Sequence, residues 1–492
     1  MAADLTDDFT ASLRSLRVCV AGLGVSGPPA ARVLASLGAS VVAVDSRDDD
    51  AGRALAGGLA RDGVQVLLGD AAAATLPDGT GLVVTSPGWQ PDAPLLAAAA
   101  AAGVDVIGDV ELAWRLRPAL ADGRRQRWLA VTGTNGKTTT VRMLALMLAA
   151  AGYRSVAAGN VGTSLIDAVT EPEPYEVVAV ELSSFQLHWS STIAPRAAAL
   201  LNVAAHHLDW HGTFEAYAAA KARIFAPGTI AIGNADDRWS AEIAAGAGRD
   251  GKADRVVMFR LGEPGPGELG VRNGYLIDRA FGTAGTRDEE VRLARVADAS
   301  PPAPHNVADA LAAAALARAY GADSGAVGAG LRAFTPDPHR IALVGTVAGV
   351  DYVDDSKATN PHAAAASLAS YERVVWVAGG LLKGSEGDLD GLVGRAAPRL
   401  RGVVLLGADR AKIAAALGRH APEIPVAEIA GTGAGIMDDV VTAAAALAEP
   451  GDTVLLAPAA QSFDMFQDYP ARGEAFAEAV TRLCCAGVRG PS

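Results

Sequence analysis

The stretch from Trp128 to Ala150 constrains this chain more than any other. Four apolar residues, Trp128 to Val131, lead into Gly133-Thr134-Asn135-Gly136-Lys137-Thr138-Thr139, and a long helical pattern follows from Thr138 to Ala150. That order describes a buried strand, a tight glycine loop and a helix whose first N–H groups are left without intrahelical partners. Such a loop offers stacked N–H donors to a phosphate, Lys137 for the β and γ phosphates and the Thr138 hydroxyl for Mg²⁺. Val131 stands where the eight-residue phosphate-loop pattern has its first glycine. ATP is still the expected ligand, set against the plainer reading of a Gly-rich loop with an incidental lysine.

The same grammar occurs twice more. Arg17 to Ala21 runs into Gly22-Leu23-Gly24-Val25-Ser26-Gly27, a helix is expected from Ala30 to Leu37, and a strand from Val41 to Val44 ends at Asp45. Taken alone, the glycines and the acid read as an NAD(P) site. Another nucleotide-like ligand, or a tight turn with no ligand, fits them too. From Arg340 onward, Val374 to Ala378, Val403 to Leu406 and Val454 to Ala457 read as buried strands between Ala-rich helices. Arg117 to Arg127 and Thr335 to His339 read as linkers. The expected fold class is α/β in three domains: an N-terminal Rossmann-like domain over residues 1–120, a central P-loop ATPase-type parallel sheet over 121–337, and a C-terminal Rossmann-like domain over 338–492.

Composition narrows the function. Lys+Arg number 42 against 55 Asp+Glu, so a broad nucleic-acid footprint is excluded. Three cysteines, Cys19, Cys484 and Cys485, provide no disulfide framework and suit a reducing compartment. No run approaches the ~18 apolar residues of a membrane span. Met1 to Thr10 is acidic and unlike a signal peptide, so a cytoplasmic location is expected. Only six lysines occur, and each therefore weighs more as a candidate for lysine-specific chemistry.

Two further segments carry chemistry. Glu181-Leu182-Ser183-Ser184-Phe185-Gln186-Leu187 places Glu181 at a strand end, where a carboxylate can hold ATP-bound Mg²⁺ or merely face solvent. His206-His207-Leu208-Asp209-Trp210-His211 concentrates three histidines, which leaves open a divalent metal, a zinc site short of a clear fourth ligand, or a hydrolase base. Lys221 follows on an Ala-rich helix, where an exposed structural lysine is the default reading.

With Asp355-Ser356-Lys357-Ala358-Thr359-Asn360 and Gly379-Gly380-Leu381-Leu382-Lys383-Gly384, these motifs resemble the Mur ligases, the ATP-dependent amide-forming enzymes of peptidoglycan precursor assembly. The resemblance runs from Gly22 to Gly473 and is narrowest for the members that add D-glutamate to UDP-N-acetylmuramoyl-L-alanine. It implies that the first glycine loop receives a uridine diphosphate and not NAD, through Val25, Ser26, Ser46 and Arg47, with Ser86 and Asn160 on the substrate path. It implies ATP contacts at Gly133, Thr134, Asn135, Gly136, Lys137, Thr138, Thr139, Asn306, Arg340, Asp355 and Lys357. Two Mg²⁺ ions would be held by Thr138, Glu181, His207 and a CO₂-derived carbamate on Lys221, with Lys137, Glu181, His207 and Lys221 as the catalytic set. The incoming amino acid would meet Thr359, Lys383, Ser462, Phe463 and Tyr469. His206 departs from the Asp-His pair common in relatives. The implied partners are small molecules, with no nucleic acid or membrane, and the implied state is a monomer. A folylpolyglutamate synthase, an L-glutamate-adding ligase, a dehydrogenase and a non-catalytic ATP-binding regulator are the competing readings.

Overall fold

The computed structural model describes residues 2–160, 162–282, 290–382, 386–431 and 435–487. They form two compact units, one of Met1–Val203, His207–Ala299 and Val307–Phe334, the other of Ala204–His206, Ser300–Asn306 and Thr335–Ser492. The fold class is α/β, with three sheets dominated by parallel strands. No helix among the described residues is long and apolar enough to cross a membrane.

The first unit holds two sheets. One is fully parallel: β1 (Arg17–Ala21), β2 (Ser40–Asp45), β3 (Gln65–Leu68), β4 (Leu82–Thr85) and β5 (Asp105–Gly108) lie in the order β3-β2-β1-β4-β5. The central sheet contains β6 (Arg127–Thr132), β7 (Ser155–Gly159), β8 (Val177–Glu181), β9 (Ala197–Leu200), β10 (Ile230–Asn234), β11 (Arg255–Phe259), β12 (Glu268–Arg272), β13 (Tyr275–Asp278) and β14 (Val291–Arg295). Their order is β14-β13-β12-β11-β10-β9-β6-β8-β7. β12, β13 and β14 pair antiparallel and form one edge of this sheet.

Continuous apolar runs such as Leu129-Ala130-Val131 are buried on both faces because helices cover a parallel sheet on each side. One apolar core joins the first sheet to the central one and includes Val18, Val84, Trp128 and Val178. Trp128 is fully buried and packs edge-on to Trp114 at 5.2 Å. Truncating such a side chain typically costs ~3–5 kcal/mol.

The second unit is built on a sheet of β15 (Ala342–Val347), β16 (Val350–Asp354), β17 (Val374–Gly379), β18 (Leu400–Leu406), β19 (Val426–Glu428) and β20 (Thr453–Leu456), in the order β15-β16-β20-β17-β18-β19. All pairs are parallel except β15 with β16. Its two faces carry separate apolar clusters, one around Trp376 and Leu405, the other around Tyr352 and Val404.

Candidate active site

β6 and β8 are paired, so their C-terminal ends present Gly133–Lys137 and Glu181 side by side. Gly136 has φ +86°, and an added Cβ would lie 2.2 Å from the Asp309 carboxylate. Glycine is therefore required on both conformational and steric grounds. The loop is braced from the end of β9. Asn202 accepts from Asn135 N at 2.9 Å and donates from its side chain to Asn135 O at 3.2 Å. The helix Lys137–Ala150 then starts on Lys137, and a left-handed Gly152 lies just past its end.

Two lysines meet on this loop. Lys137 Nζ donates to Gly133 O at 2.9 Å and Thr134 O at 3.0 Å. Lys221 Nζ donates to the same Gly133 O at 2.8 Å, and its ammonium group lies 4.7 Å from the centre of the Tyr217 ring. The helix Phe214–Ala222 is capped by Thr213, and its last turn points Lys221 inward, to 2% exposure. The exposed structural lysine of the sequence reading is thus ruled out. Burial, then repulsion from Lys137, holds the Lys221 pKa well below the ordinary lysine value, and the nearby Glu181 only partly opposes them. Tyr217 also shares a hydrogen bond of 2.9 Å with Thr134 Oγ1.

Thr138 Oγ1 donates to Glu181 Oε2 at 2.9 Å, and Asn160 Nδ2 donates to Glu181 Oε1 at 3.1 Å. Glu181 is 1% exposed, which excludes the solvated strand-end acid. A hydroxyl beside a buried carboxylate is a donor set suited to Mg²⁺, which takes few protein oxygens and keeps others for phosphate and water. Among the described residues no group of three or more His, Cys, Asp or Glu is arranged as a metal cage.

Two rings of the histidine segment, His207 and His211, meet Phe185. His207 adopts the left-handed conformation and lies 4.6 Å from the Phe185 ring. His211 Nε2 is 2.9 Å from Ser184 Oγ and stacks on Phe185. Burial, with His188 and Lys221 nearby, lowers its pKa to about 4.

The first glycine loop is organised differently. Asp45 Oδ2 accepts from Leu23 N at 2.6 Å, and Asp45 Oδ1 accepts from Arg47 N at 2.9 Å and from Arg47 Nε at 3.2 Å. Burial would raise the Asp45 pKa, but these donors outweigh it and hold the carboxyl below its usual range. The acid that reads as a ribose ligand is thus engaged by its own loop. Ser86 Oγ donates to Gly22 O at 3.1 Å. Val25 is 90% exposed, and Ser46 and Arg47 are exposed too.

In the second unit, Asp355 is buried behind β16. Burial raises its pKa to about 7, although Ser367 donates to it and the Arg340 charge lies near. Lys357 Nζ sits 3.9 Å over the Tyr469 ring, so Tyr469 lies with Asp355 and Lys357 at the end of β16. Asn306 donates to Pro301 O at 3.1 Å. Paired strands β17 and β20 bring their following loops together, as Leu381 and Gln461 exchange backbone hydrogen bonds. Asp409 and Asp464 lace in the loop after β18 by accepting from Leu382 N and Ala408 N at 2.9 and 2.8 Å. Ser462 is 2% exposed and Phe463 64%. Thr359 follows Lys357 and is half-buried. Lys383 lies outside the described residues.

Sequence reading missed Asn202, Tyr217 and Asp309 at the phosphate loop, and the fully buried Arg472, which donates to Ser356 Oγ and Ser356 O at 2.9 Å. Asn202 immediately follows a buried strand, which was the available signal for it. The others are set by packing alone.

Comparison with known proteins agrees with this layout. Residues 16–108 match the family description "Mur ligase MurD-like, N-terminal domain", 131–317 "Mur ligase middle domain" and 339–460 "Mur ligase, glutamate ligase domain". The chain is 61% identical over 473 residues to the UDP-N-acetylmuramoylalanine--D-glutamate ligase of Thermobifida fusca, covering 96% of this chain and 99% of that one. It is 50% identical to the enzyme of the same name from Mycolicibacterium smegmatis, covering 97% and 99%. Solved structures with a similar fold include MurF from Acinetobacter baumannii, with TM-score 0.58, 18% identity and coverage of 94% and 93%. MurC from Thermotoga maritima is another, with TM-score 0.53, 18% identity and coverage of 95% and 99%.

Proposed function

This chain belongs to the Mur ligase family, and on that premise we propose that it is the ATP-dependent ligase that joins D-glutamate to UDP-N-acetylmuramoyl-L-alanine. The observation that carries the ligase chemistry is the meeting of Lys137, Lys221, Thr138 and Glu181 around one phosphate loop. The choice of D-glutamate rests on the names of relatives that match end to end.

In this reading the loop N–H groups and Lys137 bind the β and γ phosphates of ATP, Lys137 exchanging the carbonyls of Gly133 and Thr134 for phosphate oxygens. The alanyl carboxylate of the UDP-sugar attacks the γ-phosphate to give an acyl phosphate and ADP. The neutral amine of D-glutamate then attacks the acyl carbon, and phosphate leaves. Thr138 and Glu181 would hold one Mg²⁺, His207 and a modified Lys221 the other. Bound Mg²⁺ supplies charge neutralisation between the reacting anions.

Lys221 is suited to carry a carbamate because only a neutral amine attacks CO₂. The nitrogen forms a bond to carbon and releases one proton, leaving an anionic carboxylate on a long arm. Arg47, Ser26, Val25, Ser46, Ser86 and Asn160 serve the UDP-sugar. Asn306, Arg340, Asp355 and Lys357 serve ATP, and Thr359, Lys383, Ser462, Phe463 and Tyr469 the amino acid. The enzyme works as a cytoplasmic monomer on small molecules.

The test is phosphate release from ATP. It should require UDP-N-acetylmuramoyl-L-alanine and D-glutamate together. Equal release with L-glutamate or meso-diaminopimelate would defeat the assignment.

A further inference from the structure

His211 has no part in the chemistry proposed above, yet its contacts lead toward three of the proposed Mg²⁺ ligands. It closes the one-turn helix Leu208–His211. Its N–H donates to His207 O at 3.0 Å, so the two histidines stand one turn apart on the same side. Both rings meet Phe185, His207 at 4.6 Å and His211 at 5.6 Å, and the His211 ring is parallel to Phe185 within 2°. Trp210 packs against His211 and Phe185 at 4.5 and 5.0 Å.

The other two contacts reach different elements. His211 Nε2 shares a hydrogen bond of 2.9 Å with Ser184 Oγ. Ser184 is buried and opens the helix Ser184–His188, three residues after Glu181. On another side, the Tyr217 ring meets His211 edge-on at 5.4 Å and 70°. Tyr217 is buried too. Its hydroxyl lies 2.9 Å from Thr134 Oγ1, and Lys221 Nζ lies 4.7 Å from its ring centre. An imidazole has two flat faces and a polar rim, so one side chain can stack on Phe185, back Tyr217 and hold Ser184. A phenyl ring lacks the polar rim, and an amide lacks the faces.

Resting on the carbamate reading of Lys221, we propose that His211 is a positioning residue that sets the spacing of the Lys221 carbamate, His207 and Glu181. It holds the first through Tyr217, the second through their shared turn and the third through Ser184. Lys221 keeps one place because Tyr217 does, and Tyr217 does because His211 backs its ring. Misplacing such groups by about 1 Å can cost ~10²-fold in rate.

Carbon NMR of the full chain in isotope-labelled bicarbonate reads the carbamate without turnover. The signal should be present in wild type and absent in Lys221→Met. In His211→Ala the bicarbonate concentration for half-maximal signal should rise by roughly tenfold, and kcat at saturating bicarbonate should fall by ~10²-fold. His211→Phe keeps the faces and should recover most of the signal and part of kcat. Ser184→Ala removes the same polar link, so adding it to His211→Phe should cost nothing further. Wild-type signal and kcat in His211→Ala overturn the inference, as do losses that multiply in the double variant. A melting temperature that falls in His211→Ala while the bicarbonate dependence of the folded protein stays put overturns it too, since that is the mark of a merely structural histidine. If His211→Ala does not fold, His211→Phe and Ser184→Ala, alone and together, decide on the same criteria. Wild-type protein without a carbamate signal defeats the carbamate reading, and this inference with it. A wild-type signal that His211→Ala leaves unmoved defeats this inference alone.

Discussion

Two glycine loops in one unit follow the same strand, loop and helix plan, yet they are prepared for different work. The first is tied by a carboxylate: Asp45 reaches back to Leu23 N and sideways to Arg47. The second is tied by an amide, Asn202, and backed by Asp309, while two lysines crowd one of its carbonyl oxygens. The acid of the first loop is already engaged internally, so the glycine-and-acid pattern alone does not identify a dinucleotide. A loop with two lysine nitrogens at Gly133 O is paired with cationic chemistry from the outset. What distinguishes the two is the group that braces each loop, which lies outside the glycine pattern.

The sharpest way to break this contrast is Lys221→Met. Activity should fall by ~10³-fold or more, as expected when a ligand to a catalytic Mg²⁺ is lost. Stability should move the other way. Wild-type Lys221 has a folded pKa far below 10.5, so below that pH the unfolded chain binds a proton that the folded chain does not. Folding therefore loses stability throughout neutral pH, and methionine removes the penalty. Thermal melts should show the variant more stable at pH 7, with the gain fading as pH rises toward 10.5. An equally stable, active variant would return Lys221 to a structural role.

Gly136→Ala probes the brace itself. Strain at φ +86° should cost ~1–3 kcal/mol, and the contact with Asp309 adds to it. The melting temperature should fall by several degrees and KM for ATP should rise. In the first loop Gly27 is closed to a side chain for another reason, since its Cβ would meet Gly22 O at 1.9 Å. Unchanged ATP binding in Gly136→Ala would detach Asp309 from loop geometry.

Asp45→Asn has the smallest expected effect. It weakens the charged contacts to Leu23 and Arg47, so KM for the UDP-sugar should rise by about threefold to tenfold while KM for ATP holds. The sign with pH is fixed by the lowered Asp45 pKa: the wild-type contribution is full above 3.8 and is lost as pH falls through the folded value. The asparagine variant should lack that acid-side loss in melts from pH 5 to pH 3. Calorimetry with NADH should give no binding heat for either protein, and a tight complex would restore the dinucleotide reading.

Much of this was legible in the sequence because it is local. Strand, loop and helix at Trp128 to Ala150 are written in contiguous residues, and Glu181 falls where a strand runs out. The pairing of β17 with β20 follows from parallel-sheet logic, and it does bring Leu381 against Gln461. The braces are not local. Asp309 approaches Gly136 from a helix far along the chain, and Glu111 finds Ser191 and Thr192 across a seam that no periodicity marks. Lys221 looks like any lysine on an alanine-rich helix until packing buries it. Charge and spacing cannot reveal burial, and burial is what lowers the Lys221 pKa.

The loops after β17, β18 and β20 hold one another largely through main-chain atoms: Leu381 with Gln461, Asp409 N with Gly380 O, Gly379 N with Pro458 O. Main-chain bonds are indifferent to side-chain identity wherever a Cβ fits, and here Gly379 and Gly380 must stay glycine, because an added Cβ would lie 1.8 Å from Leu406 O and 2.1 Å from Gln461 O. Such a frame can be inherited intact while the side chains that project from it are exchanged. Descent can then replace a few of the other projecting residues and leave the architecture untouched. That is one physical route by which proteins of 18% identity keep a common fold.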